Sequence, residues 1–136
     1  MSAPVWVIDT NVFVSGLLRP SGPPARILNA VRDGRIRVAY SAAILSEYAE
    51  VLRRPRFALP PAVVADLIEG IAGWPPIEPG RGPKLPDPDD EPFLALARVT
   101  AERVLVTGNL ADYPPAERGS VVVLSPAAAL KYIPSA

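Results

Sequence analysis

Residues 4–18 read PVWVIDTNVFVSGLL, and the change of pattern inside this stretch decides the fold. Residues 4–8 are a short apolar run rich in β-branched and aromatic side chains, which predicts a buried strand. Asp9-Thr10-Asn11 ends the run. Residues 12–18 are apolar again and predict a helix, with Asp9 or Thr10 able to cap it. A strand feeding directly into a helix opens an alternating chain, and the rest of the sequence keeps the alternation.

Working outward, residues 19–24 (RPSGPP) predict a loop, and residues 25–31 carry apolar side chains at helical spacing until Asp33-Gly34. Residues 36–40 (IRVAY) alternate as a strand. Ser41 then caps a helix running to about Arg54, which Pro55 ends. Pro60-Pro61 precede a helix over 62–72, and residues 73–88 are rich in proline and glycine and read as a loop. A helix over 90–100, strands over 104–107 and 121–124, and a short helix over 126–131 complete the chain. Short, wholly apolar strands between helices predict an α/β fold with a parallel sheet covered on both faces. No internal repeat and no dividing linker is visible, so one domain over 1–136 is expected. Ligands in such sheets bind beyond the carboxyl ends of the strands. Asp9 lies at one such end and Thr107-Gly108-Asn109 at another, which places two distant polar groups on one edge.

Composition narrows the chemistry. The 136 residues contain neither cysteine nor histidine. That removes disulfides, thiolate and imidazole metal sites, and nucleophile triads built on an imidazole base. Any metal must be held by oxygen, which favours a hard ion such as Mg²⁺ or Mn²⁺. Apolar residues at 49% and charged residues at 21% describe a globular chain rather than a disordered one. Fourteen basic and fourteen acidic residues give a net charge of zero, so any contact with nucleic acid has to be local. No apolar run is long enough to span a membrane, and the first residues lack the pattern of a signal peptide, so a cytoplasmic protein is expected.

Four acidic features remain: Asp9, Glu47 in the helix after Ser41, the group Asp87, Asp89 and Asp90, and Asp112. Carboxylates that converge from separate elements suit phosphodiester hydrolysis, because together they hold one or two hard cations that polarise a phosphate. Thr10, Asn11, Thr107 and Asn109 can orient those carboxylates or a water. Each acid also has a plainer reading. Asp9 and Asp90 stand where helix caps belong, Glu47 and Glu50 can be a solvated pair on one helix face, and Asp112 can be a turn residue.

Four segments in order carry a family resemblance: VWVIDTNVFVSGLL, SAAILSEYAEVLRRPRF, DPDDEPFLALA and VLVTGNLADY. Over nearly its whole length the chain resembles a PIN domain, and more narrowly the VapC-like ribonuclease toxins of prokaryotic toxin–antitoxin pairs. The resemblance implies a three-layer α/β/α sandwich with a central parallel sheet, and a Mg²⁺- or Mn²⁺-dependent endoribonuclease. By position, Asp9, Glu47 and Asp90 match the family's first three acids, with Asp9 and Asp90 as metal ligands and Asp89 competing for the third place. Many relatives carry Asp where this chain has Asn109, so Asn109 and Asp112 both stand as candidates for the fourth position. An RNA substrate, a cognate antitoxin and a homodimer are implied partners. Arg19, Arg26, Arg53, Arg54 and Arg56 are candidate phosphate contacts, with solvated helix ends as the plainer reading.

Two other enzyme classes place an aspartate after a first strand. Haloacid-dehalogenase-like phosphatases need a second Asp two residues on, and Asn11 stands there. A receiver domain needs an acidic pair at the first strand and a phosphoacceptor Asp at a later strand end, where this chain has Ser41. A PIN domain that binds RNA or protein without cleaving stays open because of Asn109.

Overall fold

The structure, a computed structural model, describes residues 3–82 and 84–135; Pro83, inside the expected 73–88 loop, lies outside them. Val5–Ile8 forms strand β1, Arg37–Val38 β2, Val104–Val106 β3 and Val122–Leu124 β4. The sheet order is β2-β1-β3-β4 and every pairing is parallel. Val7 faces Leu105 in register and Ile8 faces Val106. Trp6, Val7 and Ile8 are all buried, as are Leu105 and Val106. Runs of consecutive buried residues mean that both faces of the central strands are covered, which is why these strands are apolar without alternation.

Among the described residues six α-helices surround the sheet: α1 (Thr10–Leu18), α2 (Pro23–Arg32), α3 (Ala42–Leu52), α4 (Pro61–Ala72), α5 (Glu91–Ala97) and α6 (Pro126–Ala129). The expected α/β class with a central parallel sheet is the observed one. Helix α1 packs on α2, α3 packs on α4, and α5 lies against β1 and β3. Gly16 makes the first contact possible, because a Cβ there would sit 2.8 Å from the Pro24 carbonyl oxygen. Phe13 of α1 meets Tyr48 of α3 edge-on at 5.1 Å between ring centroids, and Tyr48 meets Phe93 of α5 at 6.2 Å. These three buried rings join the helices that surround the end of β1.

Several boundaries differ from expectation for local reasons. The second strand keeps two residues of the expected 36–40, because pairing with β1 stops at Trp6↔Val38. The Tyr40 carbonyl then accepts from the Ile77 amide at 2.8 Å, and Ser41 turns the chain into α3 with its hydroxyl accepting from the Ile44 amide at 3.3 Å. Helix α2 starts earlier than residue 25, because Pro23 and Pro24 fit a first turn whose amides have no helical partner. The helix expected over 90–100 is shorter, seven-residue α5, and a 3₁₀ turn at Pro88–Asp90 leads into it. Its end is closed by Thr100, whose hydroxyl donates to the Ala97 carbonyl at 2.9 Å.

The chain passes from β1 to β2 on one side and returns to β3 on the other. The order therefore reverses between β1 and β3, and the crevice at their carboxyl ends is the place where such sheets hold ligands. Asp9 and Thr107 are the next residues after those two strands.

Candidate active site

The Asp9 amide donates to the Val106 carbonyl at 2.9 Å, so sheet pairing continues to the last residue before α1. Asp9 is 4% exposed. It occupies the cap position of α1 without a side-chain capping bond. Its Oδ2 instead accepts from the Thr107 hydroxyl at 3.0 Å and the Tyr113 hydroxyl at 2.9 Å. The cap explanation for Asp9 thus gives way to a buried carboxylate served by two distant hydroxyls. Burial pushes the Asp9 carboxyl above its ordinary value; the Asp112 charge adds to this, while the Tyr113 and Thr107 hydroxyls pull it down.

The β3 end is tied to α1 by side chains. The Gly108 amide donates to Asn11 Oδ1 at 2.9 Å, and a Cβ on residue 108 would lie 3.1 Å from that oxygen. A side chain at 108 would press on the Asn11 amide, which would have to shift by a few tenths of an ångström. Thr107 Oγ1 also accepts from the Asn109 amide at 3.1 Å, so one buried hydroxyl fixes both Asp9 and the turn after β3. Asn109 Nδ2 donates to Asp112 Oδ1 at 2.9 Å. Asp112 closes a 3₁₀ turn at Leu110–Asp112, so its turn role and its place beside the acids coexist.

Glu47 comes from α3. One carboxylate oxygen accepts from the Thr10 hydroxyl. Burial raises the Glu47 carboxyl, Thr10 lowers it, and the charges of Asp9, Asp89 and Glu50 raise it further. The neighbouring Tyr48 hydroxyl donates to the Ile8 carbonyl, which locks α3 to the residue before Asp9. Glu50 stays outside the acid group: it forms an exposed pair with Arg54 at 3.1 Å, one helical turn on.

Asp90 ends the 3₁₀ turn before α5 and makes no capping bond; Asp87 does that work, its Oδ1 accepting from the Asp89 amide at 2.9 Å. Asp90 Oδ2 is buried and has no hydrogen-bond partner. Burial, then the charges of Asp9, Asp112, Asp87 and Glu47, push its carboxyl up to about 7. Asp89 is exposed on the same turn.

The fold therefore brings Asp9, Glu47, Asp90 and Asp112 within one another's fields, from four separate elements. Three of them spend a carboxylate oxygen on a hydroxyl or amide donor, and of the four Asp90 has the buried oxygen without a partner. Among the described residues no three acids stand together as a ready-made ion cage. The donor set nonetheless fits one hard cation: it is all oxygen, it is crowded with like charge, and its Asp90 lacks any partner. Clefts of about 340 and 580 Å³ elsewhere on the surface are lined by none of these acids.

Of the candidate arginines, Arg54 is paired with Glu50, and Arg56 lies 4.8 Å from the centre of the Phe57 ring. Arg19 and Arg53 are exposed at the ends of α1 and α3. Arg26 lines a groove along α2 with Arg32 and Arg35, and none of the four acids lines it. Tyr113 and Tyr48 are the residues that sequence reasoning missed. A tyrosine directly after the Asn-x-x-Asp turn was the one signal for Tyr113; Tyr48 reads only as a core position of α3.

The sequence model of the PIN domain matches residues 5–111. An uncharacterized protein of Methanocaldococcus jannaschii is 46% identical over 41 residues, which is 30% of this chain and 26% of that protein. The aligned part thus spans about a quarter of that relative. No solved structure matches the chain at a significant level.

Proposed function

The chain belongs to the PIN-domain family, whose members are typically nucleases that use divalent metals, and from that premise we propose that it is a metal-dependent endoribonuclease. The observation that carries this reading is the half-buried Asp90 carboxyl, whose Oδ2 is shut off from solvent without a partner and which is raised to about 7 beside Asp9, Glu47 and Asp112. Such a cluster is relieved by a cation, and Asp9 and Asp90 are the residues that would hold Mg²⁺ or Mn²⁺. A hard divalent ion supplies charge stabilisation at a phosphate and a more acidic water. Glu47 and Asp112 complete the acid set. Thr10 orients Glu47, Asn109 orients Asp112, and Thr107 orients Asp9. Asn11 holds the Gly108 turn against α1. Asp90 takes the third acidic place in preference to Asp89, because Asp90 is the more buried and is acted on by Asp9. The proposed unit is one domain over the 136 residues.

The finer role is the toxin of a toxin–antitoxin pair, with RNA as substrate, an antitoxin as partner and a homodimer as the working form. It rests on the resemblance of the four segments. Among the described residues no helix is long and apolar enough to cross a membrane, which suits a cytoplasmic role.

The deciding experiment incubates the purified chain with a mixed set of structured RNAs in Mg²⁺, Mn²⁺ or EDTA. Cleavage that needs the metal and disappears in Asp9→Asn and Asp90→Ala is expected. Cleavage indifferent to EDTA or to Asp9→Asn would sink the proposal. A second reading, a weakened PIN domain that binds RNA or protein without cutting, is favoured by Asn109, an amide where many relatives carry an acid. RNA binding without cleavage at any metal concentration would select it.

A further inference from the structure

We infer that Tyr113 is a positioning residue for the metal site: its hydroxyl, with that of Thr107, fixes one oxygen of Asp9 so that the carboxylate presents its other oxygen to a divalent ion. The inference rests on the metal-nuclease reading above.

Asp9 is 4% exposed, so water is not at hand to supply the donors that a buried carboxylate needs. Two hydroxyls supply them, and both reach the same oxygen: Tyr113 at 2.9 Å and Thr107 at 3.0 Å from Oδ2. Both donor residues are fully buried. Oδ1 receives neither bond. A carboxylate held on one oxygen has its orientation set before any ion arrives, which is what partners of metal ligands do.

Tyr113 is itself held in place. Arg118 Nε donates to the Tyr113 carbonyl at 2.6 Å, and Arg118 Nη2 donates to the Leu110 carbonyl at 3.3 Å. One guanidinium thus braces both ends of the turn that carries Asp112. The turn positions Asp112 directly and Asp9 through Tyr113. Tyr113 and Arg118 both lie past residue 111, where the family match ends. Core packing alone accounts for a buried ring at this position but not for a hydroxyl aimed at Asp9. A phenylalanine would fill nearly the same volume and leave Oδ2 with one donor.

The test compares the wild-type chain, Tyr113→Phe and Asp9→Asn. Mn²⁺ binding is measured by calorimetry at pH 7, folding by thermal melting, and RNA cleavage across a range of Mn²⁺ concentrations. Tyr113→Phe is expected to weaken Mn²⁺ binding about tenfold or more. Its cleavage should fall at low Mn²⁺ and return at saturating Mn²⁺. Unchanged Mn²⁺ affinity in Tyr113→Phe, beside binding lost in Asp9→Asn, overturns the inference and leaves the nuclease reading standing. A cleavage defect that saturating Mn²⁺ does not restore also overturns it, because the hydroxyl would then serve the fold only. A wild-type chain that binds no Mn²⁺, or an Asp9→Asn chain that binds it equally well, overturns the metal-nuclease reading and this inference with it.

Discussion

At the scale of single residues, the acids divide by what each can lean on. Asp9 has two hydroxyls, Glu47 has Thr10, Asp112 has Asn109, and Asp90 Oδ2 has none. The folded Asp90 titrates at about 7, against an ordinary value of 3.8. Between those values the folded chain holds a proton that the unfolded chain has released, so stability falls as pH rises through this window. In EDTA, Asp90→Asn should therefore melt several degrees above wild type at pH 8 and by a smaller margin at pH 5, which already lies inside the window. Melting curves that differ equally at both pH values would show that the Asp90 charge is not the cause. Asn109 offers the opposite change. Asn109→Asp removes the amide that donates to Asp112 and adds a fifth carboxylate to the cluster. In EDTA it should melt below wild type, yet bind Mn²⁺ more tightly by calorimetry. A variant as stable as wild type in EDTA and no better at holding Mn²⁺ would remove Asn109 from the account of the site. The four acids were legible as candidates: Asp9 at a strand end and Asp90 at a helix start by position, Glu47 and Asp112 by their places in the ordered segments. Tyr113 was not, because a tyrosine beside a turn reads as core until its hydroxyl is seen to reach a residue 104 positions away.

At the scale of elements, the strand–helix alternation was readable because apolar runs and helical periodicity are local properties. Lengths were less so. The second strand shrank to Arg37–Val38 because its partner strand, not its own sequence, sets where pairing ends. The helix over 90–100 stops at Ala97, whose carbonyl accepts from the Thr100 hydroxyl, and the 3₁₀ turn at Pro88–Asp90 takes its first residue. The packing of α1 on α2 gives a contrast between two glycines. Gly16→Ala places a Cβ 2.8 Å from the Pro24 carbonyl oxygen, backbone that cannot swing away. It should destabilise by about 1–3 kcal/mol although alanine is the better helix former. Gly70→Ala, in the last turn of α4 with nothing within 4 Å of its Cβ, should stabilise by about 0.4–1 kcal/mol. Urea melts of the two variants check the pair, and a stabilised Gly16→Ala would mean that α1 and α2 are not held in close contact.

At the scale of the whole molecule, folding is what assembles the site, so an ion that binds the acids should stabilise the fold. Free Mn²⁺ at a hundred times its Kd adds about 2.7 kcal/mol to stability. The rise in melting temperature should be larger at pH 8 than at pH 5, because protons compete with the ion for Asp90. It should be absent in Asp9→Asn; an equal rise in that variant would place the ion elsewhere. The sequence by itself determined the α/β class, the parallel sheet, the absence of imidazole and thiol chemistry, and which acids and turns stand at strand ends. Those follow from composition and from periodicities that each short segment carries alone. Only the tertiary structure decided what serves each carboxylate: that Asp9 is shared by Thr107 and Tyr113, that Tyr48 locks the Glu47 helix to Ile8, and that Asp90 is left without a donor. Hydrogen-bond partners and burial depend on which distant segments meet at the reversal between β1 and β3, and no local pattern records that meeting. Asp9 was visible from the sequence as the residue at the end of the first strand; the fold is what buries it and holds one of its oxygens.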